Sequence, residues 1–274
     1  MSLLSKLADK LILCPSTKAI DSKDSVREVV WAQEGIEIET YVSTWGDFES
    51  TSIPETEKLV VLKFPGTGGR AERGTVHPAE LLVGNDPHST IKAAQVWTLN
   101  HRGYGQSTGP ASLANFTSTI DHFWDFIEQR FRGTKKLATG NSLGCMSALY
   151  LSHYRNIDAI MIRNPPPLAR LISDRPRYNA WNFGFGKRIG NQVPEKLDSL
   201  RNAKHSNCPA LFVSSEKDRV VPIKYQLEIA DAYHGPNRQF VIQGADHHHR
   251  IPEHQESQYL EAVRWLHENL ASRN

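Results

Sequence analysis

Short apolar segments alternate with longer amphipathic ones along most of this chain, and that alternation limits its possible folds more than any other feature. Two early segments, Val26–Trp31 and Ile36–Val42, flank a short turn at Glu34-Gly35 and are typical of an antiparallel pair. Six further runs are short and apolar, as in the buried strands of a parallel sheet. They are Leu59–Phe64, Val96–Leu99, Lys136–Thr139, Ala159–Arg163, Ala210–Ser214 and Gln239–Ile242.

Helical candidates lie between these runs, at Pro78–Ala94, Leu113–Phe131, Ser142–Tyr154, Ile223–Tyr233 and Glu256–Leu270. Repetition of strand, helix and strand predicts an α/β fold with a doubly wound, mostly parallel sheet of about eight strands flanked by helices. Because the composition does not shift along the chain, we expect residues 1–274 to form a single domain. Residues 1–25 are its N-terminal helix and lead-in.

The N-terminal segment Ser2–Leu13 has leucines at helical spacing, interrupted by Lys6, Asp9 and Lys10. It lacks a convincing small-residue cleavage site. We predict an amphipathic helix packed on the domain, and contact with a partner or a membrane surface is the alternative. The leucines are Leu3, Leu4, Leu7 and Leu11.

Segment 165–208 is longer than a single crossover helix requires. It opens with three prolines and continues with aromatic side chains among glycines and arginines. This composition predicts a small lid-like insertion, with Trp181, Phe183 and Phe185 as substrate-binding residues. The alternative is an ordinary helical excursion with its own small core.

Charge and cysteine content exclude several classes of protein. The 32 basic and 30 acidic side chains give a net charge of +2 without a basic patch, so no nucleic-acid partner is expected. No apolar run is long enough to cross a bilayer, and no integral membrane association is expected. Three cysteines, Cys14, Cys145 and Cys208, favour reduced thiols in a cytoplasmic protein over a disulfide framework.

The most informative motif is Gly140-x-Ser142-x-Gly144, which joins a predicted strand to a predicted helix. A strand that turns sharply into a helix exposes the serine at its apex as a nucleophile, and glycines on either side remove β-carbons that would collide there. The pattern also arises by chance, so the interpretation depends on the partners that a nucleophilic serine needs.

A base is available after the last predicted strand, where three histidines follow Gly244. We predict that His247, the first of them, takes the proton of Ser142, with His248 and His249 as alternatives. The run could instead be a surface cluster. Together with Asp246 and His254 it could also hold a metal ion, but the spacing typical of metal sites is missing, so we predict no metal and no cofactor.

An acid to orient the base is predicted at Asp218, in the loop after the penultimate strand that ends at Val221-Pro222. Glu216 is the alternative acid. Asp246 is a poor candidate, because side chains of adjacent residues diverge.

The loop Phe64-Pro65-Gly66-Thr67-Gly68-Gly69 follows the third strand and brings backbone N–H groups near a substrate oxygen. We predict that the amides of Thr67 and Leu143 form the oxyanion hole. The same loop matches a dinucleotide fingerprint through Gly66, Gly68 and Ala71, with Asp86 twenty residues on. We exclude a dinucleotide site because the acidic residue of a dinucleotide-binding unit lies at the end of its second strand, and Asp86 does not. We exclude a phosphate-binding P-loop because no Gly-Lys-Ser/Thr follows.

Several features of the chain resemble the α/β-hydrolase superfamily over roughly residues 26–270. In chain order they are the glycine-rich loop 64–69, the turn 100–107, the elbow 140–144, Asp218 and His247. The order Ser, Asp, His is the family's own. The resemblance implies an esterase-like serine hydrolase, in which the Arg-Gly-Tyr-Gly turn is structural. Many relatives begin the oxyanion loop with His-Gly where this chain has Pro65-Gly66, so the loop gives no guide to the substrate.

The predicted reaction is hydrolysis of a small-molecule carboxylic ester, thioester or amide through an acyl-enzyme on Ser142. The serine also argues against the dehalogenase branch, which uses an aspartate. Cys145 is excluded as nucleophile because it lies in the helix beyond the elbow. A catalytically silent binding protein and a metal-dependent hydrolase are the alternatives. Three arginines could contact an acidic substrate group, namely Arg70, Arg73 and Arg163.

Overall fold

A computed structural model describes residues 2–22, 24–32, 35–83, 89–174 and 184–272. Its centre is an eight-stranded sheet with the order β1-β2-β4-β3-β5-β6-β7-β8. The strands are β1 Val26–Ala32, β2 Ile36–Trp45, β3 Lys58–Phe64, β4 Ala93–Leu99, β5 Lys135–Asn141, β6 Ala159–Arg163, β7 Ala210–Ser215 and β8 Asn237–Ile242. The β1–β2 and β2–β4 pairs are antiparallel and all others are parallel. The predicted doubly wound, mostly parallel sheet is therefore confirmed.

Helices cover both faces of the sheet, as the buried apolar character of the strands requires. They are α1 Leu3–Leu13, α2 Ala79–Leu82, α3 Phe116–Arg130, α4 Gly144–Tyr154, α5 Leu168–Ser173, α6 Phe185–Gly190, α7 Ser199–His205, α8 Ile223–Asp231 and α9 Glu253–Ala271. One core lies between the sheet and helices α1, α3, α4, α7 and α8. The other lies between the opposite face and helices α2 and α9. Within the described ranges, none of these helices is long and apolar enough to cross a membrane.

The long helix predicted over Pro78–Ala94 is wrong. Among the described residues of that range, only the four of α2 are helical, and β4 begins at Ala93. Turn-forming residues Gly, Asn, Asp and Pro follow α2 in the sequence and end the helical pattern. Strand β4 starts earlier than predicted because it lies between β2 and β3, where every one of its residues is buried despite weak strand propensity.

Helix α1 uses a different face from the one that its leucines indicate. It buries Ala8, Ile12 and Leu13 against the main core, while Leu3 and Leu7 are exposed. The buried Asp9 carboxylate accepts a hydrogen bond of 2.8 Å from the Leu113 amide. The helix is therefore anchored through its small and β-branched residues and through one buried carboxylate.

The parallel strands end at a common edge, where the candidate site lies. Phe64 at the end of β3 pairs with Gly140 of β5, and Asn141 pairs with Arg163 at the end of β6. The loops after β3, β5, β7 and β8 therefore meet at the carboxyl edge of the sheet, the usual ligand position in open α/β folds.

Candidate active site

Ser142 directly follows β5 and has a left-handed backbone conformation, with φ of 52°. Such a conformation is costly for a residue with a β-carbon, by about 1–3 kcal/mol, so its surroundings must hold it. The Ser142 amide donates to the Arg163 carbonyl at 2.9 Å, and the Ser142 carbonyl accepts from the Cys145 amide at 2.9 Å. These two bonds fix the turn between β5 and α4.

The two glycines of the elbow are required by close backbone contacts. A β-carbon at Gly144 would overlap the carbonyl oxygen of Phe64, and one at Gly140 would overlap the carbonyl of Gly144. The turn thus packs against both β3 and the start of α4 without room for a side chain. This is the steric reason that the sequence motif anticipates.

His247 and Asp218 form a buried pair. Nδ1 of His247 lies 2.6 Å from Oδ2 of Asp218, and each residue is only 5% exposed. A carboxylate at Nδ1 favours the tautomer with the proton on Nδ1, which leaves Nε2 as a proton acceptor. The other carboxylate oxygen of Asp218 accepts from the amides of Val220 and Val221 at 2.7 and 2.8 Å. Pro222 then caps α8, as the sequence indicates.

Two further polar residues, absent from the sequence interpretation, hold this pair in place. Gln226 of α8 is fully buried and donates from Nε2 to Asp218 Oδ2 at 3.1 Å and to the Val221 carbonyl at 2.6 Å. Asn164, which follows β6 with φ of 55°, donates to the His247 carbonyl at 3.0 Å. The position of Asn164 at a strand end could have identified it from the sequence. Gln226 could not have been identified, because a glutamine within a helical pattern indicates no such role.

The alternative acids have other roles. Asp246 is partly exposed and accepts from the amides of His247 and Arg219, which lowers its pKa. Glu216 accepts from the Gly244 amide at 2.6 Å and so ties down the loop that carries His247. Neither carboxylate replaces Asp218 at the imidazole.

The remaining histidines of the run differ in position. His248 lines the cavity described below, with its ring centroid 4.8 Å from that of His247. His249 accepts from the Asp246 amide through Nδ1 at 3.1 Å. Across the part of the chain that the structure describes, no group of three or more His, Cys, Asp or Glu side chains is arranged to hold a metal ion.

A cavity of about 450 Å³ contains Ser142 and His247 together with Thr67 and Leu143. Its walls are predominantly aliphatic and come from three helices and the loop after Asp218. The side chains that form them are Leu11 and Ile12 of α1, Leu168, Leu171 and Ile172 of α5, Ile189 of α6, and Val220 and Val221. The site therefore combines a polar edge, which carries Ser142 and His247, with an apolar chamber.

Thr67 and Leu143 line this cavity, and the backbone amide of neither has an acceptor among the described residues. Their neighbours differ, since the Gly68 amide donates to Leu13 and the Gly69 amide to Gly66. A β-carbon at Gly66 would lie 3.4 Å from that of Ser142, so the loop packs directly against the elbow. Two available donors near a serine are what an oxyanion hole requires.

Of the three aromatic residues predicted to bind substrate, Phe185 is the one that the structure describes. Trp181 and Phe183 lie outside the described residues. Phe185, at the start of α6, is half-buried and packs against the main core, whereas Ile189 of the same helix lines the cavity. Aliphatic residues form most of the described wall, and α6 contributes Ile189, which lies one helical turn beyond Phe185.

Cys145 and the three arginines lie outside the cavity. Burial raises the pKa of the Cys145 thiol, which donates to the carbonyls of Gly140 and Arg163. Arg70 is paired with Glu72. Arg73 and Arg163 border a second cavity of about 370 Å³ beside the oxyanion loop.

Comparison with known proteins agrees with the fold. A family model described as the alpha/beta hydrolase fold matches residues 60–189. An esterase from Pyrococcus furiosus superposes with a TM-score of 0.65 at 15% identity, over 92% of this chain and 96% of the esterase. An acylaminoacyl peptidase from Pyrococcus horikoshii gives 0.64 at 13% identity, over 93% of this chain and 43% of the peptidase. A search of curated proteins by sequence found no match.

A third similar structure is Est1E from Butyrivibrio proteoclasticus with bound ferulic acid, which superposes with a TM-score of 0.62 at 20% identity over 89% of this chain and 100% of Est1E. The chain therefore has the α/β-hydrolase fold, and its resemblance to that superfamily, inferred from the motifs, is confirmed.

Proposed function

We propose that this protein is a serine hydrolase that cleaves carboxylic esters through an acyl-enzyme on Ser142. The observation that carries the proposal is that His247, paired with the buried Asp218 at 2.6 Å, lines the same cavity as a serine held at φ of 52°. A serine on a strained turn next to an oriented imidazole is the arrangement that nucleophilic catalysis needs.

In the proposed reaction, Nε2 of His247 takes the proton of the Ser142 hydroxyl as its oxygen attacks the ester carbonyl. Asp218 keeps the imidazole in the required tautomer and stabilises its protonated form. The amides of Thr67 and Leu143 receive the developing oxyanion. His247 then protonates the leaving alcohol, and water activated by the same imidazole releases the acid and regenerates Ser142.

The aliphatic chamber supports substrates with an apolar acyl group. Its walls offer few hydrogen-bond partners beyond the polar edge, and burying a polar group there without a partner is costly. Similar structures include an esterase and an acylaminoacyl peptidase, so ester and amide cleavage both occur on this fold. We propose esters as substrates because the cavity walls formed by the described residues present no Asp, Glu, Lys or Arg side chain to bind a peptide.

A cytoplasmic location is part of the proposal, since all three cysteines are free thiols.

The test is labelling with a fluorophosphonate probe followed by mass spectrometry of the modified peptide. We expect one labelled serine, Ser142, and loss of both labelling and ester hydrolysis in Ser142→Ala. Ser147→Ala is the matched control, because Ser147 lies fully buried in the same helix α4 and its removal should leave labelling intact.

Different outcomes separate the alternatives. A folded protein without labelling or hydrolysis would indicate a binding protein. Activity that survives Ser142→Ala but disappears with a chelator would indicate a metal-dependent hydrolase. Either result would overturn the proposal.

A further inference from the structure

Helix α1 presents an apolar stripe to solvent. Leu3, Leu7 and Leu11 follow one another at intervals of four residues and are 85%, 37% and 39% exposed. The opposite side of the helix carries the residues that attach it, Ile12 and Leu13 among them. The exposed leucines are therefore not needed to hold α1 on the domain, and exposing them to water is unfavourable.

The charges beside this stripe have one sign. Lys6 and Lys10 are the exposed charged residues of α1, because its single acid, Asp9, is buried and bonded to the Leu113 amide. Helix α1 contacts α6, which adds the exposed Lys187 and Arg188 and contains no acidic residue. Leucines flanked by basic side chains are the composition of helices that lie in the interface of an anionic membrane.

The stripe continues into the mouth of the catalytic cavity. Leu11 belongs to the stripe and also lines the cavity that contains Ser142. On another side of the same cavity, Val220 is 40% exposed and follows Asp218 by two residues. An apolar rim with a basic surround thus leads from the surface of α1 to the nucleophile.

We propose that the leucine stripe of α1 docks on an anionic phospholipid surface, so that the catalytic cavity opens toward the lipid and receives its ester substrate from it. The proposed docking is inferred from the exposed leucines of α1 and the basic side chains beside them. The substrate class, esters with long acyl chains that partition into membranes, rests on the proposed hydrolase function. Charge complementarity favours anionic lipid over a second copy of the chain, because two such surfaces would bring lysines against lysines.

The test is co-sedimentation of the full-length protein with vesicles of phosphatidylglycerol and phosphatidylcholine, compared with pure phosphatidylcholine. We expect at least about tenfold tighter binding to the anionic vesicles, weakening as salt is raised. The double variant Leu3→Gln, Leu7→Gln should lose at least about tenfold in vesicle affinity. It should still hydrolyse a water-soluble short-chain ester as the wild type does, because neither leucine lines the cavity.

The matched control is Leu260→Gln. Leu260 is 39% exposed on α9, which packs on the opposite face of the sheet, so vesicle binding should not change. A second pair, Lys6→Gln with Lys10→Gln, should reduce the preference for anionic vesicles and its salt dependence.

Equal binding of the wild type to both kinds of vesicle, or unchanged binding of the leucine variant, would overturn the docking proposal. So would a wild-type dimer in light scattering that the leucine variant converts to monomers without any vesicle binding. Ser142→Ala separates the two proposals, since it should bind vesicles normally. Vesicle binding without hydrolysis defeats only the hydrolase proposal, and hydrolysis without vesicle binding defeats only docking.

Discussion

The polar edge and the chamber above it are built on different physical principles. At the edge, the loops after β3, β5, β7 and β8 are fixed by directional bonds and steric contacts, such as the four that the Asp218 carboxylate accepts. The chamber is lined by side chains of α1, α5 and α6 that are aliphatic and therefore make no directional bonds themselves. Changes at the edge should therefore alter the rate of reaction, whereas changes in the chamber should alter stability and substrate size.

The largest effect should come from the acid at the edge. Asp218→Asn would place an amide against His247 and favour the wrong imidazole tautomer, and we expect kcat/KM for a short-chain ester to fall by about 10⁴-fold. Glu216→Gln is the control, because the glutamine oxygen can still accept from the Gly244 amide. A loss at Glu216 as large as that at Asp218 would contradict the assignment.

In the chamber, Leu171→Ala should act on stability first. Leu171 is 6% exposed, and its truncation leaves a cavity, so we expect the free energy of unfolding to fall by about 2–4 kcal/mol. Hydrolysis of an acetyl ester should hardly change, whereas the ratio of long-chain to acetyl ester rates should shift at least about threefold. Urea unfolding and a chain-length series measure the two effects. A rate loss that is equal for every chain length would remove the distinction between the two regions.

The side chain of His101, at the same edge of the sheet, lacks the hydrogen bonds to described residues that its neighbours make. His101, after β4, is stacked on Phe116 at 3.8 Å, and both of its ring nitrogens are buried without a partner in the described ranges. Burial lowers its pKa to about 3. Between that value and the ordinary pKa near 6.5, the unfolded chain binds more protons, so stability falls as the pH is lowered through this window.

At pH 5 this protonation should cost about 2 kcal/mol relative to pH 8. In His101→Phe the cost should disappear, because phenylalanine keeps the stacked shape and cannot be protonated. Urea unfolding of both proteins at the two pH values measures the difference. Equal losses for wild type and variant would show that other groups cause the acid sensitivity.

A smaller effect on rate is expected from Gln226→Leu. The change removes a donor from Asp218 Oδ2 without touching substrate, and we expect kcat to fall about tenfold with little change in KM. Gln226→Glu offers no donor to Asp218 when ionised and should not restore the rate. A rise in KM alone would indicate a structural disturbance of the chamber instead.

The smallest effect should be at Thr67. Its proposed role uses the backbone amide, so Thr67→Val should change kcat/KM by less than about threefold. Replacement by proline, which removes that N–H, should reduce the rate by about 10²-fold or more, and circular dichroism checks that the fold survives. Equal losses in both variants would assign the role to the side chain.

The sequence predicted the features that depend on neighbouring residues. Seven of the eight strands begin within two residues of the predicted position, because buried strands need short apolar runs between turn residues. The elbow was predictable because its Gly-x-Ser-x-Gly pattern is local in the sequence, although the contact that requires Gly144 is with the distant carbonyl of Phe64. The helix expected over Pro78–Ala94 failed because turn residues inside it outweigh its apolar spacing.

Contacts between distant segments decided the features that the sequence did not predict. The sequence by itself determined the sheet, the order of its helices, and a serine, an acid and a histidine at strand ends, because each follows from local periodicity and turn chemistry. Only the tertiary structure placed Gln226 against Asp218, put Ile189 rather than Phe185 in the wall of the cavity, and left Leu3 and Leu7 of α1 in solvent. These three placements depend on how each helix packs against the rest of the protein. For α1, the spacing of apolar residues in the sequence is compatible with burial of more than one face.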